Sequence, residues 1–531
     1  MKPTLFRFIL PDGQVRERRL EETAPGTANK PAFTLAEWME AEHLPLNTRC
    51  GGRGLCRGCR IRLEENSADL VRACQIPLAR FHDSSTQTVH IPEASFRDHS
   101  LTGVSVFEIG GGEPVLKIRP GIGLALDIGT TTVAAALWDL SSGRCLATGS
   151  VANEQRRFGD NVLARIYHAV AQGGTSPDLQ AALVRDSLLP LLTEVCTRAG
   201  IQPEAITEGL AAGNTVMEHA FAGADLSGFS AYPFKPVFLS GVTLSAREIG
   251  LPVDFPVSLA PNPGPFVGGD IALGALASGM LARQAPSLLI DFGTNGEILL
   301  RHHNGFLATA TAAGPAFEGG RLSCGSPAGK SVISSLALEG TSWSWRLSGE
   351  GRGKPTGISG AAYIDFIAQA RTAGIINEMG RFDSAHPSVV TSNGAGTGFG
   401  KRVYVTRDLF LSEADVAELM QAKSAIAAGV LTLLEEAGLE PQDLAALYIA
   451  GGFGYHLDRR HAIAVGLIPT VSMEHIRIIG NASLGGASLL LQSDDRDRLE
   501  SLLAASSVVE LNQIASFEDH FIDCMSLSPI S

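Results

Sequence analysis

The sequence predicts two units of unequal size: a small α+β domain at the N-terminal end and, after a short tether, a two-lobed α/β unit that fills the rest of the chain. Three observations carry this expectation. Four of the eight cysteines fall between positions 50 and 74. An apolar strand ending in Asp-x-Gly-Thr occurs twice, in "LALDIGTTTVAAALWDL" from Leu124 and "LLIDFGTNGEILLR" from Leu288. A third apolar strand, "LAALYIAGGFGYHLD" (444–458), runs into Gly451, Gly452 and Gly454. A chain of 531 residues also exceeds what one hydrophobic core fills, so several domains are expected.

The small domain is justified element by element. "TLFRFILP" (4–11) and "QVRERRLEE" (14–22) read as two strands around the turn Asp12-Gly13, and "TLAEWMEAE" (34–42) as a short helix. After the cysteine loop, "CRIRLEE" alternates as a strand does, and "QTVHIPEA" (87–94) is the last strand. The domain is expected to end near residue 95, with 96–120 as a linker that includes Gly103, Gly110, Gly111 and Gly112. The two lobes are then expected at 121–285 and 286–531.

Cys50, Cys56, Cys59 and Cys74 are spaced C-x5-C-x2-C-x14-C. Structural zinc sites usually pair cysteines as two short-spaced couples, so zinc is the rival reading. Three ligands in one loop with a fourth apart is similar to the plant-type [2Fe-2S] ferredoxins. The order strand, strand, helix, cluster loop, strand, strand resembles their β-grasp fold. Gly51, Gly52, Gly54 and Gly58 let such a loop wrap tightly and turn N–H groups toward sulfur. The other cysteines, Cys145, Cys196, Cys324 and Cys524, read as small buried hydrophobes.

Asp127 and Asp291 stand 164 positions apart, a domain-sized repeat. A strand running into Asp-x-Gly-Thr makes a tight hairpin whose glycine, Gly129 or Gly293, lets backbone N–H groups face a phosphate. Thr130, Thr131 and Thr132 in one turn, and Thr294 with Asn295 in the other, add donors. The aspartates are expected to hold Mg²⁺ through water, because Mg²⁺ keeps much of its hydration shell. A plain hairpin with a polar tip is the bland alternative. Gly451, Gly452 and Gly454 permit close approach of a base and ribose. The trio resembles the two phosphate motifs and the adenosine motif of the ASKHA superfamily, which includes acetate and sugar kinases, Hsp70 and actin. "CGSPAGKS" (324–331) lacks the Walker A spacing and reads as an ordinary loop.

Taken in order, "CGGRGLCRGC", "DIGTTT", "AAGNTVMEH", "IDFGTNGE", "AAGPAFEGG", "IAGGFG" and "GNASLGGASL" resemble the reductive activators of corrinoid-dependent methyltransferases. Two departures stand out: a short gap from Cys59 to Cys74, and only about 25 residues between the small domain and the first lobe, where some relatives insert a further domain. The resemblance implies a [2Fe-2S] cluster on Cys50, Cys56, Cys59 and Cys74, with ATP and Mg²⁺ in the ASKHA cleft. It implies one-electron reduction of Co(II) to Co(I) on a corrinoid methyl carrier protein or methyltransferase, fed by a low-potential electron donor; a homodimer is one option for assembly. Three alternatives remain at this stage: a small-molecule kinase with Glu297, Glu318 or Asp270 as base, an activator of 2-hydroxyacyl-CoA dehydratases, and a non-enzymatic sensor.

Weaker readings complete the chain. Asn214 and Thr215 follow an apolar strand and serve either the cleft or a helix cap. "GPAFEGG" (314–320) is a cleft loop or a plain turn. "FGDNVLARI" (158–166) reads as a surface helix capped at Asp160, "DDRDRLES" as a solvated helical face, and His219 and His456 as structural. The net charge of -13 argues against general nucleic-acid binding. The opening apolar run is broken by Arg7 and Pro11, unlike a signal peptide, and no window holds 18 consecutive apolar residues, so a cytoplasmic protein with no membrane partner is expected.

Overall fold

The computed structural model describes residues 117–530 apart from 330, 349–352, 394–398 and 494, and before them 4–10, 15–20, 34–42, 44, 46, 59–63, 70–81, 86–92 and 95. Cys50, Cys56, the glycines between them and the linker through residue 116 lie outside the described residues.

Alternation builds the small domain. In Thr4–Ile9 every second residue is buried, which puts Phe6 and Phe8 on one face. That face packs on Trp38 of the helix Leu35–Ala41, with the Phe6 and Trp38 rings 4.7 Å apart. Thr4–Ile9 pairs antiparallel with Val15–Leu20 and parallel with Thr86–His90. The strand expected after Cys59 is short among the described residues: Arg60–Ile61 pairs antiparallel to Val71–Arg72, and Arg62 bridges to His90.

The two lobes repeat one topology. In the first, Ile122–Ile128, Thr132–Asp139 and Arg144–Ala152 form an antiparallel meander. Ile206–Gly213 then lies parallel to the first strand, and Pro256–Leu259 parallel to that. In the second, Ser287–Phe292, Gly296–His302 and Gly305–Thr311 form the meander. Ala446–Ala450 and Ile476–Gly480 add in parallel on its far side. Each sheet carries one further edge strand, Thr243–Ser245 in the first and Ser506–Val508 in the second. The second lobe also carries two small three-stranded sheets and the helix Gly360–Thr372.

Each parallel strand series ends in a helix of small residues, Gly269–Ser278 in the first lobe and Ala482–Gln492 in the second. Both are buried along their whole lengths except Asp270, which keeps a partly open face. They pack directly on one another: a Cβ added at Gly486 would stand 2.0 Å from the carbonyl oxygen of Leu273. The longest helix, Glu413–Ala437, is apolar enough by length and composition to cross a membrane, but most of it is buried in the second lobe.

Some expectations shift. Cys145 is exposed, because it lies on an edge strand of the first sheet, whereas Cys196, Cys324 and Cys524 are buried. The helix Val162–Val170 is capped by Asn161, whose side chain accepts from the Ala164 N–H at 2.9 Å, rather than by Asp160. Lys117 and Arg119, within the stretch read as linker, are tied to the lobes: the Lys117 N–H donates to Gln492 O at 2.7 Å and the Arg119 N–H to Leu140 O at 3.1 Å.

Candidate functional site

Register places the two hairpin turns at equivalent points. Asp127 pairs across the ladder with Ala134 and beside Ala212, the penultimate residue of its parallel neighbour. Asp291 pairs with Glu297 and lies beside Ala450, where the next strand ends. The two turns face each other across the lobes and touch. The hydroxyls of Thr131 and Thr294 are 2.6 Å apart, and both donate to Glu318 Oε2, at 3.0 and 2.9 Å. Glu318 sits in the Gly314–Gly320 turn, so the sequence segment "GPAFEGG" is a cleft loop.

Aromatic packing joins the second turn to its neighbours. Phe292 follows Asp291, Phe317 precedes Glu318, and Phe453 lies within the glycine trio. Their rings pack at 5.6, 5.4 and 4.9 Å in the three pairings. Gly451 has φ +88, and a Cβ there would stand 2.6 Å from Phe292 O and 2.8 Å from Asp291 Oδ1. Only glycine allows that backbone to lean on the aspartate. Gly452 follows it, and Gly454 opens a short 3-10 turn with its Cα against Ile449. Gly293 N–H donates to Asn295 O at 3.1 Å, which closes the second turn on itself.

A set of carboxylates surrounds the meeting point. Asp127, Asp270 and Asp291 keep part of their surface open to the cleft, whereas Glu297 is buried. Burial pushes the Asp127 carboxyl up to about 6 against the Asn481 hydrogen bond, which pulls it down. Burial also pushes Asp270 up to about 7, aided by the charge of Asp127. Asp291 is held well above the usual carboxylate range by burial, then by the charges of Asp270, Asp127 and Glu318. Glu297 is raised in the same way by burial and by Asp270 and Asp291, and Glu318 is raised by burial against its two threonine donors. Crowded, poorly solvated carboxylates of this kind favour a cation among them. Among the described residues no three His, Cys, Asp or Glu side chains are grouped to ligate one metal ion directly.

Further residues, of which sequence reasoning passed over Asn481 and Asn153 and read Arg165 as part of a surface helix, support these groups. Asn481 caps the helix Ala482–Gln492 through Oδ1 and donates from Nδ2 to Asp127 Oδ2 at 2.8 Å. Its signal was an asparagine between an apolar strand and a run of small residues, inside the quoted "GNASLGGASL". Asn214 serves both of its readings: Oδ1 caps the next helix by accepting from the Val216 N–H, while Nδ2 reaches across to Glu297 Oε1 at 3.4 Å. Behind the first turn, Asn153 Nδ2 donates to Gly129 O at 2.9 Å and Arg165 Nη2 to Thr130 O at 2.6 Å. His219 is structural, stacked on Phe238 with centroids 3.9 Å apart.

In the small domain, Cys59 precedes the short ladder and Cys74 lies in the 3-10 turn Ala73–Gln75 that follows it, where the Ala73 N–H donates to Cys59 O at 3.0 Å. Both cysteines are buried, and Gln75 Nε2 approaches Cys74 Sγ at 3.6 Å.

Residues 122–283 match the family model described as the RACo middle region, and 285–530 the one described as the C-terminal domain of RACo, the ASKHA domain. The chain is similar to the corrinoid activation enzyme RamQ of Eubacterium limosum, 31% identical over 396 residues, which is 71% of this chain and 65% of that relative. The chain therefore spans just under two thirds of that relative's length. It is also similar to the [Co(II) methylated amine-specific corrinoid protein] reductase of Methanosarcina barkeri, at 22% identity over 74% of this chain and 73% of that one. Among solved structures, a reductive activator for corrinoid, iron-sulfur protein covers 100% of this chain and 99% of its own, at 25% identity and TM-score 0.71. With residues 122–283 and 285–530 matched by that family's middle-region and C-terminal ASKHA-domain models, the chain belongs to the RACo family.

Proposed function

We propose that this chain returns an oxidised corrinoid protein from Co(II) to Co(I), using an electron carried on its N-terminal domain and ATP bound between its two lobes. The observation that carries the reading is the meeting of Thr131 and Thr294 on Glu318, with Asp127 and Asp291 at the roots of the two turns. Two Gly-Thr turns converging on one point supply hydroxyl and backbone donors from both sides, which suits a chain of phosphates.

Each residue has a role in this reading. Asp127 and Asp291 hold Mg²⁺ through water, and Asn481 fixes the orientation of Asp127. Gly129, Thr130 and Thr131 take one end of the phosphate chain, and Gly293, Thr294 and Asn295 the other. Asn214 orients Glu297. Gly451, Gly452 and Gly454 leave room for the nucleoside. Phosphates entering the cleft exchange the Thr131–Thr294 contact for contacts of their own, so nucleotide binding alters how the lobes meet.

Cys50, Cys56, Cys59 and Cys74 would hold a [2Fe-2S] cluster in a β-grasp ferredoxin domain spanning 1–95, tethered through 96–120 to lobes at 121–285 and 286–531. The hydrogen bond from Ala73, the neighbour of Cys74, to Cys59 O, with an amide donor near Cys74 Sγ, suits such a group. Bound there, the cluster supplies a one-electron carrier, near about -400 mV in the plant-type class.

The test is anaerobic cobalt spectroscopy. Reduced protein, MgATP and a Co(II) corrinoid protein should together yield the Co(I) spectrum, and omission of ATP should prevent it. Full Co(I) formation without nucleotide would remove ATP from the mechanism. A protein that hydrolyses ATP only with a small-molecule acceptor would replace this reading with a kinase.

A further inference from the structure

We propose that Arg165 is a positioning residue for the nucleotide: a buried cation that sets the first Gly-Thr turn in its phosphate-binding orientation without touching the ligand. The inference rests on the nucleotide reading above and deepens it.

Arg165 is 1% exposed. Nε donates to Gly159 O at 3.1 Å, Nη1 to Gln155 Oε1 at 3.1 Å with Met217 Sδ at 3.0 Å, and Nη2 to Thr130 O at 2.6 Å. All four acceptors are neutral. An arginine buried for the fold alone usually has a carboxylate against it, because an isolated buried charge is costly. Here Asp160, exposed at the helix start, acts on the guanidinium through its charge alone, and the other carboxylates near the same turn lie in the cleft.

The cation belongs to a network fixing three successive carbonyls. Asn153 Nδ2 holds Gly129 O at 2.9 Å, Arg165 Nη2 holds Thr130 O, and the Asn153 N–H holds Thr131 O at 2.8 Å. Asn153 and Gln155 are each 0% exposed, and Asn153 Nδ2 also donates to Gln155 Oε1 at 3.2 Å. A trans peptide points its N–H opposite to its carbonyl. With the carbonyls of Gly129 and Thr130 turned into this network, the N–H groups of Thr130 and Thr131 turn away from it. The fork of Arg165 therefore orients donors, and its charge lies one peptide behind them, where it offsets the carboxylates that would repel a polyphosphate.

The test measures equilibrium binding of MgATP, MgADP and adenosine to the full-length protein and its variants. Arg165→Gln should weaken MgATP and MgADP by about tenfold or more, and leave adenosine within about twofold, because only the phosphates face the turn. Arg165→Lys, which keeps the charge and loses the fork, should fall between. Asn153→Ser, which releases Gly129 O and Gln155 Oε1 but keeps the backbone hold on Thr131 O, should show the same selective loss at smaller size. A merely structural role moves adenosine and MgATP together. If every variant that folds keeps the wild-type ratio of MgATP to adenosine affinity, the inference is overturned; should Arg165→Gln fail to fold, Arg165→Lys and Asn153→Ser decide it. If the wild type binds no Mg-nucleotide, the nucleotide reading itself falls.

Discussion

The two Gly-Thr turns share a topology and differ in what stands behind them. The first is backed by a buried polar network of Asn153, Gln155 and Arg165 that holds its carbonyls. The second is backed by Phe292, Phe317 and Phe453 and closes through its own Gly293–Asn295 hydrogen bond. The partners of the aspartates differ likewise. Asp127 receives the Asn481 amide, whereas Asp291 faces the backbone of Gly451 and the charges of three other carboxylates. Duplicated sheets thus fix where the turns lie, while their chemistry is set locally. A directional network fixes orientation and tolerates few substitutions; an aromatic cluster fixes position through volume.

The comparison can be broken most forcefully at the aspartates. Asp127→Ala and Asp291→Ala should each lower MgATP hydrolysis by about a hundredfold or more, with iron content unchanged because the small domain has its own core. Unaltered phosphate release in both would remove the cleft from the mechanism.

Stability separates the backings next. Phe317→Ala should cost about 3–5 kcal/mol, read as earlier denaturant unfolding of the second lobe, because the ring is fully buried between Phe292 and Phe453. A loss under about 1 kcal/mol would mean that the aromatic cluster does not hold the second turn.

Glycine substitutions sharpen the same contrast. Gly451→Ala adds close contacts with Phe292 O and Asp291 Oδ1 to a left-handed backbone, whereas Gly314→Ala, at φ +75 with nothing within 4 Å, meets only the backbone preference. The second should cost about 1–2 kcal/mol and the first clearly more, with loss of MgATP affinity at Gly451 alone. Equal effects would show that the approach of Gly451 to Asp291 has no functional weight.

The smallest expected effect concerns the second lobe's own buried cation, Lys423. Its Nζ donates to Ser526 O at 2.6 Å, and burial pulls it down to about 8, with Cys524 acting the other way. Below that value folded and unfolded chains are both protonated there. Between about 8 and the ordinary 10.5 the unfolded chain holds the proton that the folded one has released. Stability from this group therefore rises with pH across that window, by at most about 1.4 kcal/mol per unit. Unfolding curves from pH 7.5 to 10 should show that rise in the wild type and lose it in Lys423→Met.

Much of this was legible because the signals were local. Period-two alternation marked Thr4–Ile9, and the repeated Asp-x-Gly-Thr marked both hairpins. Glycines after Ala450 read as room for a base and ribose, and the structure sets Gly451 against Phe292 O and Asp291 Oδ1. What escaped depends on distant partners. Arg165 lies in a segment that reads as a surface helix, and its burial follows from the carbonyls of a turn 35 positions earlier. Glu318 stood only among three carboxylates considered as a base, since nothing in its own segment shows that two threonines converge on it. Cys145 read as buried from its residue type, but a sheet edge decides its exposure.

The close contact of the two small-residue helices has a mechanical consequence. Gly486 meets Leu273 O backbone to backbone, so at that point no side chains interdigitate that could ratchet past one another. Sliding of one helix along the other would drive neighbouring side chains into main-chain atoms, whereas rotation about the contact leaves it intact. A hinge about that contact is the relative motion of the lobes that it resists least. A methyl group there, in Gly486→Ala, would wedge the pivot open and set the resting angle between the lobes.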